Sequence, residues 1–251
     1  MVSAIAMEDL RASRTRENPS AVLPSGFCES ELERLSICLL KLMAHVRQSE
    51  VAIAGGVAIQ LRLAETGCVG GRTAIADLDL VASSLDSVAP SISETFLVSH
   101  YHVVQSGVPK FMVQLVDPVS RIRVDVFPDL VGSLTRARTV QIRTQSVKVL
   151  ALEDILEHKV QTISKASTLN PVDPKHAEDA NTLGNLIGRP IPTVAPECLA
   201  KDIYGIDADG CQRCQLSLNS HFPLAPKNEI LRLLGWNAPT GQVNAGTHDV
   251  V

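Results

Sequence analysis

The chain has 251 residues, 45% apolar and 20% charged, with a formal net charge of −4. That is an ordinary globular mix, which excludes a wholly disordered chain and argues against broad electrostatic capture of nucleic acid. Aromatic residues are only 3%, so the core must be aliphatic, and the longest apolar run, 51–59, contains two glycines and falls far short of the roughly 18 residues of a membrane span.

The first 26 residues are mixed and polar and read as a mobile arm. Glu8 and Asp9 follow a very short apolar stretch, unlike a secretory signal. With six cysteines, this points to reduced thiols in a soluble, cytoplasmic protein. Ser30 and Glu33 have capping-box spacing, and Leu32, Leu35, Leu39, Leu42, Met43 and Val46 recur at helical period, which predicts a helix over 31–48. A short apolar strand, 51–54, then runs into Gly55-Gly56, followed by a helix over 57–65.

After a glycine-rich loop, residues 76–82 alternate as a strand, with Leu78, Leu80 and Ala82 on one face and Asp77, Asp79 and Val81 on the other. A helical turn at 92–96 precedes strands at 102–105 and 110–116. Asp117-Pro118-Val119-Ser120 signals a turn. Residues 121–126 then alternate, placing Arg121, Arg123 and Asp125 opposite Ile122, Val124 and Val126. Strands at 140–143 and 147–150 complete a strand-rich part, 27–150. Beyond it lies a helical region, 151–237, with helices at 152–165, 174–187, 195–204 and 226–235, and a loose tail at 238–251.

Asp77 and Asp79, two apart on one strand, project to the same side. If their strand neighbours the one carrying Asp125, three carboxylates converge. Such a cluster must take up protons or hold a cation, and an all-oxygen set suits Mg²⁺ or Mn²⁺. Gly55-Gly56, between strand and helix, lets the backbone approach a ligand and offers the positive helix end to phosphate. Each part has a plainer reading: a simple turn for the glycines, a solvated edge for Asp77 and Asp79, and a surface pair of Asp125 with Arg123. Order and spacing together are more specific.

The segments Gly55-Gly56-Val57-Ala58-Ile59, Asp77-Leu78-Asp79 and Arg123-Val124-Asp125-Val126, with Arg72-Thr73 upstream and Lys159 following Leu152-Glu153-Asp154-Ile155-Leu156, resemble the nucleotidyltransferases of the polymerase-beta superfamily. Among these the bacterial AbiEii-type nucleotidyl transferases are the nearest in pattern, over roughly residues 50–187. The resemblance implies an α+β fold, a mixed sheet with flanking helices followed by a helical C-terminal part. It implies a nucleoside triphosphate as donor, Mg²⁺, and a hydroxyl acceptor on a tRNA, a protein or a small molecule. It also implies a toxin–antitoxin-like setting. By the same resemblance, Asp77 and Asp79 hold metal, Asp125 completes the site or acts as base, and Gly55, Gly56, Arg72, Lys159 and Asp179 serve the nucleotide. Two departures stand out: Thr73 lies four residues before Asp77 where the family has a threonine two before, and Lys175-His176 stands where the family has a basic residue and Asp. A non-catalytic nucleotide- or RNA-binding module on the same scaffold is the rival.

Lys159 falls on the apolar stripe of its helix, either with its head reaching water or with its ammonium in the cleft. His176 and Asp179 share a helical face, most simply as a local hydrogen-bonded pair. Near the C-terminus Cys211 and Cys214 have metal-ligand spacing, and with Cys198 and His221 they offer a structural Zn²⁺ clip; reduced surface thiols are the alternative. Cys38, inside the first helix, reads as ordinary packing.

Overall fold

The computed structural model describes residues 27–68, 73–104, 110–200 and 222–235. A helix α1 (Glu29–Met43) leads to β1 (Val51–Ala54), α2 (Gly55–Glu65) and β2 (Asp77–Ala82). β3 (Leu97–Val104), β4 (Lys110–Val116), β5 (Arg123–Pro128), β6 (Arg138–Ile142) and β7 (Gln145–Val149) follow, then α3 (Leu152–Ile163), α4 (Pro174–Ile187) and α5 (Lys227–Leu234). The strands form one seven-stranded sheet in the order β3-β4-β5-β2-β1-β7-β6. It is mixed: β2/β5 and β1/β7 are parallel and the remaining pairs antiparallel. This is the α+β architecture expected, with helices flanking the sheet and dominating the later part of the chain. Among the described residues no helix is long and apolar enough to cross a membrane.

The central element is α2. Every residue from Gly56 to Leu63 is buried, including Gln60 and Arg62. A helix apolar nearly all round belongs inside a fold. Arg62 is accommodated because its guanidinium donates to the carbonyls of Val149 (2.6 Å) and Leu150 (2.9 Å) and pairs with Glu65 (2.8 Å), tying α2 to the end of β7. On α1, Leu32, Leu35, Cys38, Leu39, Leu42 and Met43 form the buried stripe, and burial pushes the Cys38 thiol up to about 12, consistent with a packing role.

Several boundaries differ from expectation for physical reasons. α1 begins at Glu29 behind Cys28, so Ser30 lies inside the helix and makes no capping box. The next acid, Glu31, instead accepts the Ile75 N–H (2.7 Å) and pairs with Arg34 (2.6 Å), fixing the approach to β2. α1 ends at Met43, short of Val46, which forms an isolated bridge with Val88. Gly55 and Gly56 are the first residues of α2 rather than a spacer before it. The turn before β3 is a 3-10 helix at Pro90–Glu94, and β3 starts at Leu97. Arg121 adopts φ 59°, so it is a turn residue, and β5 carries Arg123 and Asp125 without it. The helix expected at 195–204 is, within the described residues, only a 3-10 turn at Pro196–Cys198 followed by extended Leu199 bridging to Val172.

α4 has the ends its sequence asks for: Asp173 accepts the Lys175 N–H, Pro174 occupies the first turn, and Gly188 closes the helix at φ 70°. Further on, Leu224 bridges to Val98 on the β3 edge, Phe222 meets Tyr101 edge-on at 5.3 Å, and Ile230 of α5 packs with Val116. The last described segment thus meets the edge strand β3 at Val98.

Candidate active site

β2 and β5 are the parallel neighbours that the acidic pattern requires. Asp77 stands opposite Arg123, and Asp79 opposite Asp125. Alternation puts these four side chains on one face of the sheet, while Leu78, Leu80, Val124 and Val126 are fully buried on the other. β1 runs antiparallel on the other side of β2, pairing Ala54 with Asp79.

From Ala54 the chain turns through Gly55 at φ 60° into α2. A Cβ on Gly55 would lie 1.7 Å from Asp79 Oδ2. Glycine is therefore required both by the left-handed backbone and by the carboxylate pressed against it. The start of α2, where backbone N–H groups lack helical partners, sits directly against the acidic cluster.

The carboxylates are held in an uneven field. Burial, then Asp77 and Asp125, push the Asp79 carboxyl up to about 7 against the pull of Lys159 and Lys175. Burial also raises Asp125, opposed by Arg123 and by Gln114 across the β4/β5 pair. Arg123 bridges two of the acids, donating from Nη2 to Asp77 Oδ2 (3.1 Å) and from Nε to Asp125 Oδ2 (3.2 Å). The second oxygen of Asp125, Oδ1, is buried without a hydrogen-bond partner.

Two lysines approach from the helical part. Lys175, in the first turn of α4, places Nζ 3.7 Å from Asp77 Oδ2. Lys159 of α3 is buried, and its ammonium meets Asp179 Oδ2 at 2.9 Å and His176 Nδ1 at 3.1 Å. Burial, Lys159 and Lys175 push His176 down to about 4, so the ring is neutral near pH 7 and Nδ1 accepts a hydrogen bond from the lysine ammonium. A cavity of about 220 Å³ opens beside Asp77, lined by Gly56, Lys175, Phe27, Val57 and 74–76. A second one, about 250 Å³, lies by β1 and β7 and includes none of the acids.

Among solved structures the chain is similar to JHP933 from Helicobacter pylori, at 13% identity and TM-score 0.38, covering 63% of this chain and 68% of that one. It is likewise similar to a "putative nucleotidyltransferase" from H. pylori, at 11% identity and TM-score 0.36, covering 63% of this chain and 69% of that one. No family model and no curated protein matches the chain.

The structure thus puts Asp77, Asp79 and Asp125 on one face of neighbouring strands, sets Gly55 against Asp79 and Gly56 at the adjoining cavity, and joins Lys159 to Asp179. Lys159 meets both His176 and Asp179. Asp125 does pair with Arg123, but in a buried setting, not at the surface. Arg72, Cys211, Cys214 and His221 lie outside the described residues, as do 1–26 and 238–251. Cys198 is described, in the 3-10 turn beyond α4.

Two contributors escaped the sequence. Arg123 was visible as a residue on the Asp125 face, but its hold on Asp77 depends on the β2/β5 register. Lys175 showed only as a departure from the family pattern, and its nearness to Asp77 depends on how α4 packs.

The donor chemistry fits a hard divalent cation: carboxylate oxygens only, one of them buried and unpartnered. Among the described residues, however, no three His, Cys, Asp or Glu side chains are grouped as a ready-made metal cage. The guanidinium of Arg123 bridges Asp77 and Asp125 instead.

Proposed function

We propose that the chain is a metal-dependent nucleotidyltransferase of the AbiEii-like kind, moving a nucleoside monophosphate from a nucleoside triphosphate to a hydroxyl acceptor. The observation that carries this reading is the placement of Asp79 opposite Asp125 with Gly55 closed against Asp79 at the start of α2. Acids and a phosphate-suited helix end then share one small volume, which is what phosphoryl chemistry asks of a protein.

In this reading Asp77, Asp79 and Asp125 would hold Mg²⁺ or Mn²⁺, which would supply charge neutralisation for phosphate and activation of the acceptor oxygen. The N–H groups of Gly55 and Gly56 receive phosphate oxygens, and Lys175, which lines the cavity, offsets their charge. Lys159 is braced by Asp179 and neutral His176, so its ammonium is fixed before substrate arrives. Asp125 completes that set or acts as base, taking the acceptor's proton as the new oxygen–phosphorus bond forms and pyrophosphate leaves. The acceptor is a hydroxyl on RNA, protein or a small molecule.

The test is incubation with each α-labelled triphosphate, Mg²⁺ or Mn²⁺, and tRNA, protein and small-molecule acceptor pools. Label transfer that is lost on Asp77→Asn and on Asp125→Asn, with folding intact by circular dichroism, supports the assignment. Transfer indifferent to both substitutions contradicts it.

A second reading is favoured by one observation: Arg123 already pairs with both Asp77 and Asp125. A module that binds nucleotide without transferring it would use such an internal cation in place of metal. Calorimetry separates the two, since the module binds triphosphate equally in EDTA, whereas the enzyme binds it only with divalent cation.

A further inference from the structure

We infer that Arg123 is a resident counter-cation that competes with divalent metal for the acidic cluster, so that loading the site requires Arg123 to let go. The inference rests on the nucleotidyltransferase reading and adds a control element to it. Its basis is local. The guanidinium spends two of its donors on Asp77 Oδ2 and Asp125 Oδ2, at 3.1 and 3.2 Å. The side chains involved are 13% exposed for Arg123, 19% for Asp77 and 7% for Asp125, so water screens these contacts little. Both carboxylates are donors that a cation shared between β2 and β5 needs, and Arg123 takes up an Oδ2 of each.

The register explains why one residue reaches both acids. Arg123 is the direct partner of Asp77 across the strand pair and lies two residues before Asp125 on the same face. It therefore fills the gap between strands, where clustered negative charge would otherwise repel. A purely structural ion pair and a competing cation make different predictions about metal. Removing a structural pair loosens the site and weakens metal binding. Removing a competitor strengthens it, because the carboxylates no longer have to break two charge-assisted hydrogen bonds before accepting a cation.

The experiment is titration of the full chain with Mn²⁺, followed by the loss of the free-ion magnetic resonance signal, for wild type, Arg123→Gln and Arg123→Lys. A variant with a lower melting temperature than wild type in EDTA, more of which Mn²⁺ restores, and a dissociation constant for Mn²⁺ about tenfold lower, supports the inference. Arg123→Lys, whose single ammonium cannot fork to both acids, falls between the two. The tightening must vanish in Arg123→Gln/Asp125→Asn. Equal or weaker Mn²⁺ binding by Arg123→Gln, with binding still dependent on Asp125, overturns the competition while leaving the functional reading intact. Absence of Asp125-dependent Mn²⁺ binding in every variant overturns both. Should Arg123→Gln not fold, Arg123→Lys decides: tightening sustains the inference, and no change overturns it.

Discussion

Gly55 and Asp79 are in contact so close that a single methyl group on the first would overlap the carboxylate of the second, at 1.7 Å from Oδ2. The start of α2 and the middle of β2 are thereby locked together. Gly55→Ala meets two penalties at once, a left-handed φ of 60° and a displaced Asp79. We expect a loss of about 1–3 kcal/mol in urea unfolding and a fall in transfer activity of at least about tenfold. Gly188→Ala is the control, because its φ of 70° carries the same backbone strain with open space around it. It should lose stability only.

Asp79 makes the metal-free protein sensitive to pH in a definite direction. Its folded carboxyl is raised to about 7 by burial and by Asp77 and Asp125, whereas in the unfolded chain it titrates near the usual ~3.9. Below about pH 4 the group is protonated in both states and costs nothing. Between about 4 and 7 the unfolded chain ionises first, so stability falls as pH rises, and above the folded value the penalty is constant. Asp79→Asn removes it. In EDTA the variant should match wild type near pH 4 and exceed it at pH 8 by on the order of 2 kcal/mol, allowing for solvent screening. Denaturant melts at both pH values check this, and a difference independent of pH contradicts it.

Asp117 works with the opposite sign. It is fully buried at the β4–β5 turn, and despite burial, hydrogen bonds from Lys41, Ser120 and the Val119 N–H hold its carboxyl below the usual range. Its stabilisation is present above the unfolded value and is lost as pH falls through the lowered one. Asp117→Ala leaves Lys41 unpaired at this turn and should cost about 3 kcal/mol at pH 7, shrinking on acidification. Mn²⁺ binding should not change.

Lys159 pulls Asp79 down while being braced by Asp179 and His176. Lys159→Met should therefore raise the Asp79 carboxyl further above 7, measured by carbon-detected NMR titration of the side-chain carboxyl. An unmoved Asp79 would mean that the ammonium serves only Asp179 and His176.

Much of this was legible in residue order. Alternation alone placed Asp77 and Asp79 together, and the apolar residues Leu78, Leu80, Val124 and Val126 identified the opposite face. The helix expected over 174–187 is α4, Pro174–Ile187. What escaped depended on distant partners. Ser30 looked like a cap, but Cys28 precedes the helix and Glu31 is drawn to Ile75 across the fold. Arg121 fitted the alternation of β5, yet the turn from Asp117 takes it through a left-handed conformation. Arg123 and Lys175 reach Asp77 only through strand register and helix packing, neither of which a linear pattern encodes.

The most direct measurement is anomalous diffraction from crystals grown with Mn²⁺ and a non-hydrolysable nucleoside triphosphate. The account predicts a manganese peak ligated by oxygens of Asp77, Asp79 and Asp125, with the triphosphate against Gly55 and Gly56. Bound triphosphate with no peak at these carboxylates, or a peak elsewhere that Asp79→Asn and Asp125→Asn leave in place, would contradict it.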